Sequence, residues 1–296
     1  MAVGSGRGGW AFVALPLTVL FLFSALPAAA GVGLSFFEFS STGELRFVGL
    51  ANYAAALSSD PMLFAALRNT LVFALCAVPV TVLGGFLLAV ALHAPWFRAR
   101  TLARTLLFLP TVISVVAIGY LWRWVLDSQA GLLDLALDAT GLGALLFPDG
   151  APMWLGDNPW VLGSLASIHV WRTIGFATIL YLAALGRVPR SHYEAISLDG
   201  ATPWQAIWHV TWPAVRPMTL FLLVTGFIGA LQVFDLVWVM TEGSGTWSTV
   251  LNVQLYKEFS ANRLGYAATI GVVLLVLSAT VTWMQFRWHR VRGGGT

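Results

Sequence analysis

Residues 70–92 read Thr70-Leu-Val-Phe-Ala-Leu-Cys76-Ala-Val-Pro79-Val-Thr-Val-Leu-Gly84-Gly85-Phe-Leu-Leu-Ala-Val-Ala-Leu92, with no charge anywhere. As a helix rising about 1.5 Å per residue, this stretch covers the ~30 Å hydrocarbon core of a bilayer. It lacks the period-2 alternation of a membrane barrel strand. In lipid, an isolated segment of this kind satisfies its own backbone only as an α-helix. Five further stretches read the same way: 10–33, 105–126, 161–185, 218–240 and 266–286. The expected fold is an all-α membrane protein, six transmembrane helices in a single domain over residues 1–296.

Composition agrees. Of 296 residues, 58% are apolar and 10% charged, against about 25% charged in soluble domains. Mean hydropathy is +0.80. A soluble enzyme is excluded, and so is a disulfide scaffold, because Cys76 is the one cysteine. The one lysine, Lys257, lies outside any Gly-rich loop, so the chain has no Walker A motif for ATP. The five histidines lack metal-ligand spacing, and no paired carboxylates or activated nucleophile mark a catalytic centre. No metal, cofactor or nucleic acid is expected in this chain.

Basic residues set the orientation. The N-terminus and the segments after spans two, four and six carry Arg7; Arg98, Arg100 and Arg104; Arg187, Arg190 and Arg216; and Arg287, Arg290 and Arg292. The alternate side carries Arg46, Arg68, Lys257 and Arg263. Ten against four places both termini in the cytoplasm. Arg7, the apolar run and Ala28-Ala29-Ala30-Gly31 also resemble a signal peptide. The run is longer than a signal core and continues past the small residues, which favours an uncleaved span. Asp60-Pro61 reads as N-cap and first helical residue, starting a helix that leads into span two. Pro79, Gly84-Gly85 and Pro110 are expected to interrupt spans two and three.

The connection 187–217 is too long for a turn. It begins Arg187-Val-Pro189-Arg190-Ser191-His-Tyr-Glu194-Ala195-Ile196-Ser-Leu-Asp199-Gly200-Ala201-Thr202-Pro203-Trp204 and continues through Ile207, Trp208 and Val210 to Trp212-Pro213. Two short helices are expected. Ser191 and Glu194 have the spacing of a capping box, and Gly200 ends the first helix. Thr202-Pro203 opens the second, and Pro213 helps to close it. An amphipathic hairpin of this kind can simply lie in the headgroups.

The pattern Glu194-Ala195, Asp199-Gly200-Ala201 and Pro213 resembles the EAA loop of ATP-binding-cassette importer permeases. Ile196, Val210 and Trp212 depart from that family's usual residues but stay apolar. Val48-Gly49-Leu50-Ala51-Asn52-Tyr53, Asn69-Thr70, Leu107-Phe108-Leu109-Pro110, Leu182-Ala183-Ala184-Leu185 and Phe234-Asp235 also match typical positions. The chain thus resembles the maltose- and glycerol-phosphate-type permeases, with the type I importer fold. The resemblance implies a bacterial plasma-membrane, multi-pass subunit. It implies as partners a second homologous permease, two copies of a cytoplasmic ATPase that binds the ATP, an extracytoplasmic solute-binding protein and membrane lipid. It implies ATPase coupling through Glu194, Ala195, Asp199, Gly200, Ala201, Trp204 and Pro213. A sugar or related polar solute is the expected cargo; a glycerol-phosphate-type anion or a secondary transporter are the alternatives.

Candidates for the path come from polar or aromatic residues inside spans. Arg172 lies near the middle of span four, beside Trp171 and on one face with His169 and Thr173. Thr225, Gly229 and Gln232 make a small or polar stripe on span five, followed by Phe234 and Asp235. A structural interhelical pair is the competing role for Arg172 and Asp235. Snorkelling is expected for Arg123, and an aromatic belt for most of the fourteen tryptophans.

Overall fold

The computed structural model describes residues 7–39, 44–94 and 98–293. The side chains of Arg7, Trp10, Arg290 and Arg292 lie outside the described residues. The chain divides into two compact units, residues 1–63 with 254–276, and residues 64–253 with 277–296.

The first unit opens with α1 (Arg7–Leu20) and α2 (Leu26–Leu34), joined through a wide π-turn at Phe21–Ala25. Pro27 follows that turn directly. Proline has no N–H to donate and crowds the carbonyl four residues back, and a π-turn relieves both. A hairpin follows, β1 (Phe37–Phe39) against β2 (Leu45–Phe47), with Phe37 opposite Phe47. Next is α3 (Ala51–Ser58), whose Asn52 Nδ2 donates to the carbonyls of Ser35 and Phe37 at 2.9 and 3.0 Å. Asp60 Oδ1 accepts from the backbone N–H of Met62 and Leu63 and so caps α4 (Pro61–His93) as expected. Its other oxygen accepts from Tyr266. Near the far end of the unit's chain, Gln254 and Arg263 both engage the buried Glu258. Burial pushes the Glu258 carboxyl above the usual range; Arg263 opposes that, and the charge of Asp60 adds to it.

The second unit takes in most of α4, then α5 (Arg100–Val112), α6 (Val115–Val125), α7 (Leu132–Ala139), α8 (Leu142–Leu146) and α9 (Trp160–Leu185). After these come α10 (Arg190–Leu198), α11 (Pro203–Ala206), α12 (Trp212–Leu231), α13 (Asp235–Thr241) and α14 (Gly245–Ser248). The chain ends with α15 (Leu251–Ser260) and α16 (Leu264–Gly293). Among the described residues, five helices are long and apolar enough to cross a membrane, and α5 with α6 makes a sixth if that bent pair counts as one span.

Three expectations about breaks are corrected. Pro79, Gly84 and Gly85 do not interrupt span two, since α4 is continuous through them. Pro110 stays inside α5; the chain turns by 98° after it, where Ile113 and Ser114 are extended. Span five is not one helix, because α12 stops at Leu231 and α13 restarts at Asp235.

Glycines carry the packing. Leu107 of α5 lies so near Gly175 of α9 that any Cβ would strike its carbonyl. Thr111 Oγ1 then donates to the Arg172 carbonyl at 2.8 Å, stitching the last turn of α5 to α9. A Cβ at Gly84 would meet Ile174, one at Gly85 Ala177, and one at Gly119 Val239. In lipid there is little hydrophobic force between helices, so close van der Waals contact at small residues does the holding. Asn69, fully buried, donates to the Thr246 and Thr249 carbonyls at 2.8 and 2.9 Å and fixes the loop after α13.

Gly175→Val should force α5 from α9 and lower stability by about 1–3 kcal/mol. Gly163→Ala, where no atom lies within 4 Å, should be neutral. Thermal midpoints of the detergent-purified chain, followed by size-exclusion fluorescence, check both. Equal midpoints would remove the α5–α9 contact from the account.

Candidate functional site

The connection after α9 forms an L. Its first arm is α10. Pro189 takes the N-cap position and no side chain caps the helix, so the expected Ser191–Glu194 capping box is absent. The cause is Pro189: its fixed φ starts the helix two residues earlier and puts Ser191 in the first turn. Glu194 is left exposed, with its carboxylate in no hydrogen bond or ion pair among the described residues.

The corner of the L is a helix stop of Schellman type. Ala201 N–H donates to the Ile196 carbonyl at 3.2 Å and Gly200 N–H to the Ser197 carbonyl at 3.1 Å. Gly200 has φ +75°, the left-handed region that glycine enters without Cβ strain. Nothing lies within 4 Å of a Cβ built there. The need for glycine is therefore conformational and not steric. Asp199 caps α10 and Ala201 leads out of the corner.

The second arm starts with a full capping box. Thr202 N–H donates to Gln205 Oε1 at 2.7 Å, and Gln205 N–H donates to Thr202 Oγ1 at 3.4 Å. Pro203 is the first helical residue. Pro213 does not close this arm. A π-turn at Ile207–Thr211 absorbs the missing donor and the crowding, and the helix runs on through Pro213 into α12. The second arm and span five are therefore one rod, Pro203–Leu231. Tyr193 Oη lies 3.1 Å from Thr211 Oγ1 and braces the first arm against that rod.

Along the rod runs an aromatic ladder that the sequence reading did not extend beyond Trp208. Trp204 and Trp208, both exposed, meet edge to face at 5.8 Å. Trp208 meets Trp212 at 6.2 Å, Trp212 meets Phe86 of α4 at 5.2 Å, and Phe86 meets Tyr181 of α9 at 5.6 Å. Tyr181 is fully buried and donates to Thr219 Oγ1 at 2.9 Å. Spacing of i, i+4 and i+8 was the readable signal. Inside the L lies a cleft of about 730 Å³ lined by Ala184, Arg187, His192, Ala195, Asp199 and His209.

The span candidates are more dispersed. Thr225, Gly229, Gln232 and Asp235 are all exposed. Thr225 and Gly229 belong to α12 and Gln232 is its C-cap, so the helical stripe ends there and Asp235 opens a new helix. Phe234 sits in the break and stacks on Trp238 at 5.9 Å. Asn252 Nδ2 donates to the Gln232 carbonyl at 2.7 Å, satisfying one group freed by the break. Trp171 is exposed and meets Trp122 edge to face at 5.5 Å. Both Trp122 Nε1 and Arg172 Nε are buried without a hydrogen-bond partner among the described residues. His169 packs against Phe73 at 5.3 Å, and Thr173 lies 3.3 Å from Thr81. Arg123 is exposed and reaches the Val239 carbonyl.

Residues 54–290 match the family described as binding-protein-dependent transport system inner membrane component. The chain belongs to that family. It is 34% identical over 280 residues to the probable ABC transporter permease protein YurN of Bacillus subtilis, covering 93% of this chain and 94% of the relative. It is 34% identical over 293 residues to the lactose transport system permease protein LacF of Rhizobium radiobacter, covering 96% and 94%. Its fold is that of a subunit of a bacterial ABC transporter for import of the acidic polysaccharide alginate, with TM-score 0.79, 24% identity and 95% and 96% coverage. It is thus a multi-pass permease of the type I importer fold, from a family of transporters and not of enzymes.

Thr202→Val removes the side-chain acceptor that opens the second arm and should cost about 1 kcal/mol locally. Amide exchange over residues 203–206 should quicken by roughly fivefold at that cost, with α9 unaffected. Unchanged exchange would show that the capping box does not hold the arm.

Proposed function

We propose that this chain is one transmembrane permease domain of an ATP-driven sugar importer, and that the L-shaped loop is its joint to the ATPases. The observation that supports this most is the rod Pro203–Leu231, which makes the second arm of the loop and a membrane span a single rigid piece. A push on Trp204 or Leu198 at the loop tip then moves span five directly, and the Trp212–Phe86–Tyr181 contacts carry it to α4 and α9. In this reading, residues 187–217 and both termini lie in the cytoplasm of a bacterial plasma membrane, as the arginine bias favours. Two copies of an ATPase bind ATP beneath this subunit and a second homologous permease, and an extracytoplasmic binding protein delivers the solute. No cofactor is held by this chain. The lactose permease among its relatives supports a sugar as cargo.

The path is proposed along the exposed stripe Thr225, Gly229 and Gln232, with Phe234 and Asp235 at the break and Trp171 and Arg172 on α9. Broken helices at membrane depth are tolerated where protein or water meets the freed backbone, as in transporter sites. A second reading, an anionic glycerol-phosphate-type solute, is favoured by the unpaired Arg172 Nε. Screening neutral sugars and phosphorylated polyols against the cognate binding protein separates the two.

Coupling is tested at the corner. Gly200→Val places a β-branched residue at φ +75°, a local cost of about 1–2 kcal/mol. Membrane levels should stay normal while binding-protein-stimulated ATP hydrolysis is lost in proteoliposomes. Glu194→Ala removes no cap, so any loss of stimulation there reports the interface alone. Full stimulation and full transport in both variants would reduce the loop to an interfacial helix.

The stripe is tested separately. Gln232→Leu should cut radiolabelled solute uptake severalfold while the subunits still copurify. Normal uptake at normal expression would make the stripe ordinary packing.

A further inference from the structure

Between α6 and α9 the chain makes a hairpin of two short helices, α7 and α8, that turns its leucines outward. Leu132, Leu135, Ala136 and Ala139 of α7 fall at i, i+3, i+4 and i+7, and all four are exposed. Leu142, Leu145 and Leu146 of α8 fall at i, i+3 and i+4 and are 45%, 73% and 58% exposed. The acids of α7 lie on its other side. Asp134 Oδ1 accepts from Trp154 Nε1 at 2.8 Å, and Asp138 follows one turn on. Buried Gly143 seats α8 against Leu137 and Asp138, on that same acid-bearing side. An amphipathic helix in water buries its leucines and exposes its carboxylates. Aromatic rings fix the level of this hairpin. Phe147, the C-cap of α8, meets Trp154 and Trp160 edge to face at 5.5 and 5.7 Å, and Trp154 meets Trp160 at 6.0 Å. Trp160 is the first residue of span α9, and a tryptophan at a span end sits at headgroup depth. At the other end, residues 126–131 join α6 to α7 in a tight turn, where Asp127 Oδ1 accepts from the Gln129 and Ala130 N–H.

We propose that this hairpin lies in the bilayer surface, with the leucine faces of α7 and α8 at the boundary between headgroups and acyl chains. Both of its ends are held where spans enter the membrane, by the Asp127 turn and by Trp160. The outward faces carry leucine and alanine, without the aromatic and arginine anchors that mark a protein interface. Leucine faces are what interfacial helices bury. Residues 126–159 hold five acids and no base, so the attraction is apolar and gains nothing from anionic headgroups. The hairpin thereby moors α6, the half-span beyond the 98° bend, to the leaflet. The inference needs α9 to span a membrane; it depends neither on the solute carried nor on the coupling loop.

The test uses the full chain, extracted with the partners that accompany it and reconstituted in phosphatidylcholine vesicles. Single nitroxides are attached at Leu135→Cys, Leu145→Cys and Asp149→Cys, each with Cys76→Ala so that one thiol is labelled. Spin-label relaxation then reads collisions with oxygen, which concentrates among acyl chains, and with a nickel chelate, which stays in water. The oxygen-to-nickel ratio at Leu135 and Leu145 should exceed that at the exposed Asp149 several-fold. Adding phosphatidylglycerol to the vesicles should leave the excess unchanged. The two leucine labels sit on different helices, so if one variant fails to insert, the other decides. Ratios equal to that at Asp149 overturn the proposal by placing the hairpin in water. Few collisions with either reagent, restored when the accompanying proteins are removed, overturn it by making the face a protein contact. An excess that appears only with phosphatidylglycerol also overturns it, because headgroup charge would then hold the hairpin. Solute uptake by the same vesicles is scored separately and bears on the importer reading alone.

Discussion

Contact between helix backbones at glycine is the constraint on which the bundle depends. A lipid bilayer gives apolar helices little reason to leave it for one another. What the second unit offers instead is close approach: Gly175 against Leu107, Gly85 against Ala177, Gly119 against Val239. The Gly175 contact matters most, because it is made by α5, half of a span that bends by 98°. A bent span frees backbone groups in the membrane, and each must find a partner. Thr111, held to the Arg172 carbonyl beside that glycine, ends α5 against α9 where the bend begins.

Against this bundle the L-shaped loop acts as a rigid extension. Its corner is set by the left-handed Gly200, its second arm is capped by Thr202 and Gln205, and that arm continues unbroken into span five. The π-turn before Pro213 makes this continuity possible; a standard α-turn there would lose a hydrogen bond and kink. The same solution appears before Pro27 in the first span. The ladder from Trp204 to Tyr181 gives the rod a second attachment to the bundle, by aromatic edges instead of backbone.

Much of this was legible in the residues. Length and apolarity gave six spans, the Asp60-Pro61 and Thr202-Pro203 pairs gave two helix starts, and Asp199-Gly200 gave the corner, because each signal is local. What the sequence hid was set by distant partners. The bend at Ile113 and Ser114 has no compositional mark, since apolar residues continue across it. Pro110 was the visible breaker, yet α5 carries it without ending. Gln232 looked like the continuation of a stripe, but the helix stops there and Asn252, twenty residues on, takes its carbonyl. Ser191 and Glu194 had the spacing of a capping box, and Pro189 pre-empted it. The hairpin at Phe37–Phe47 escaped notice because three-residue strands carry too little alternation to read. Gly175 was one glycine among 29, and only Leu107 distinguishes it.

The central claim is that the tip of the L meets the ATPase. A photoreactive benzoylphenylalanine placed at Leu198, which is 88% exposed, tests this in intact membranes of the host. The account predicts one ultraviolet-dependent adduct with the ATPase subunit, and none from the same residue placed at Leu142 on α8. Adducts at Leu198 with lipid alone, or an ATPase adduct at Leu142 and none at Leu198, would contradict it.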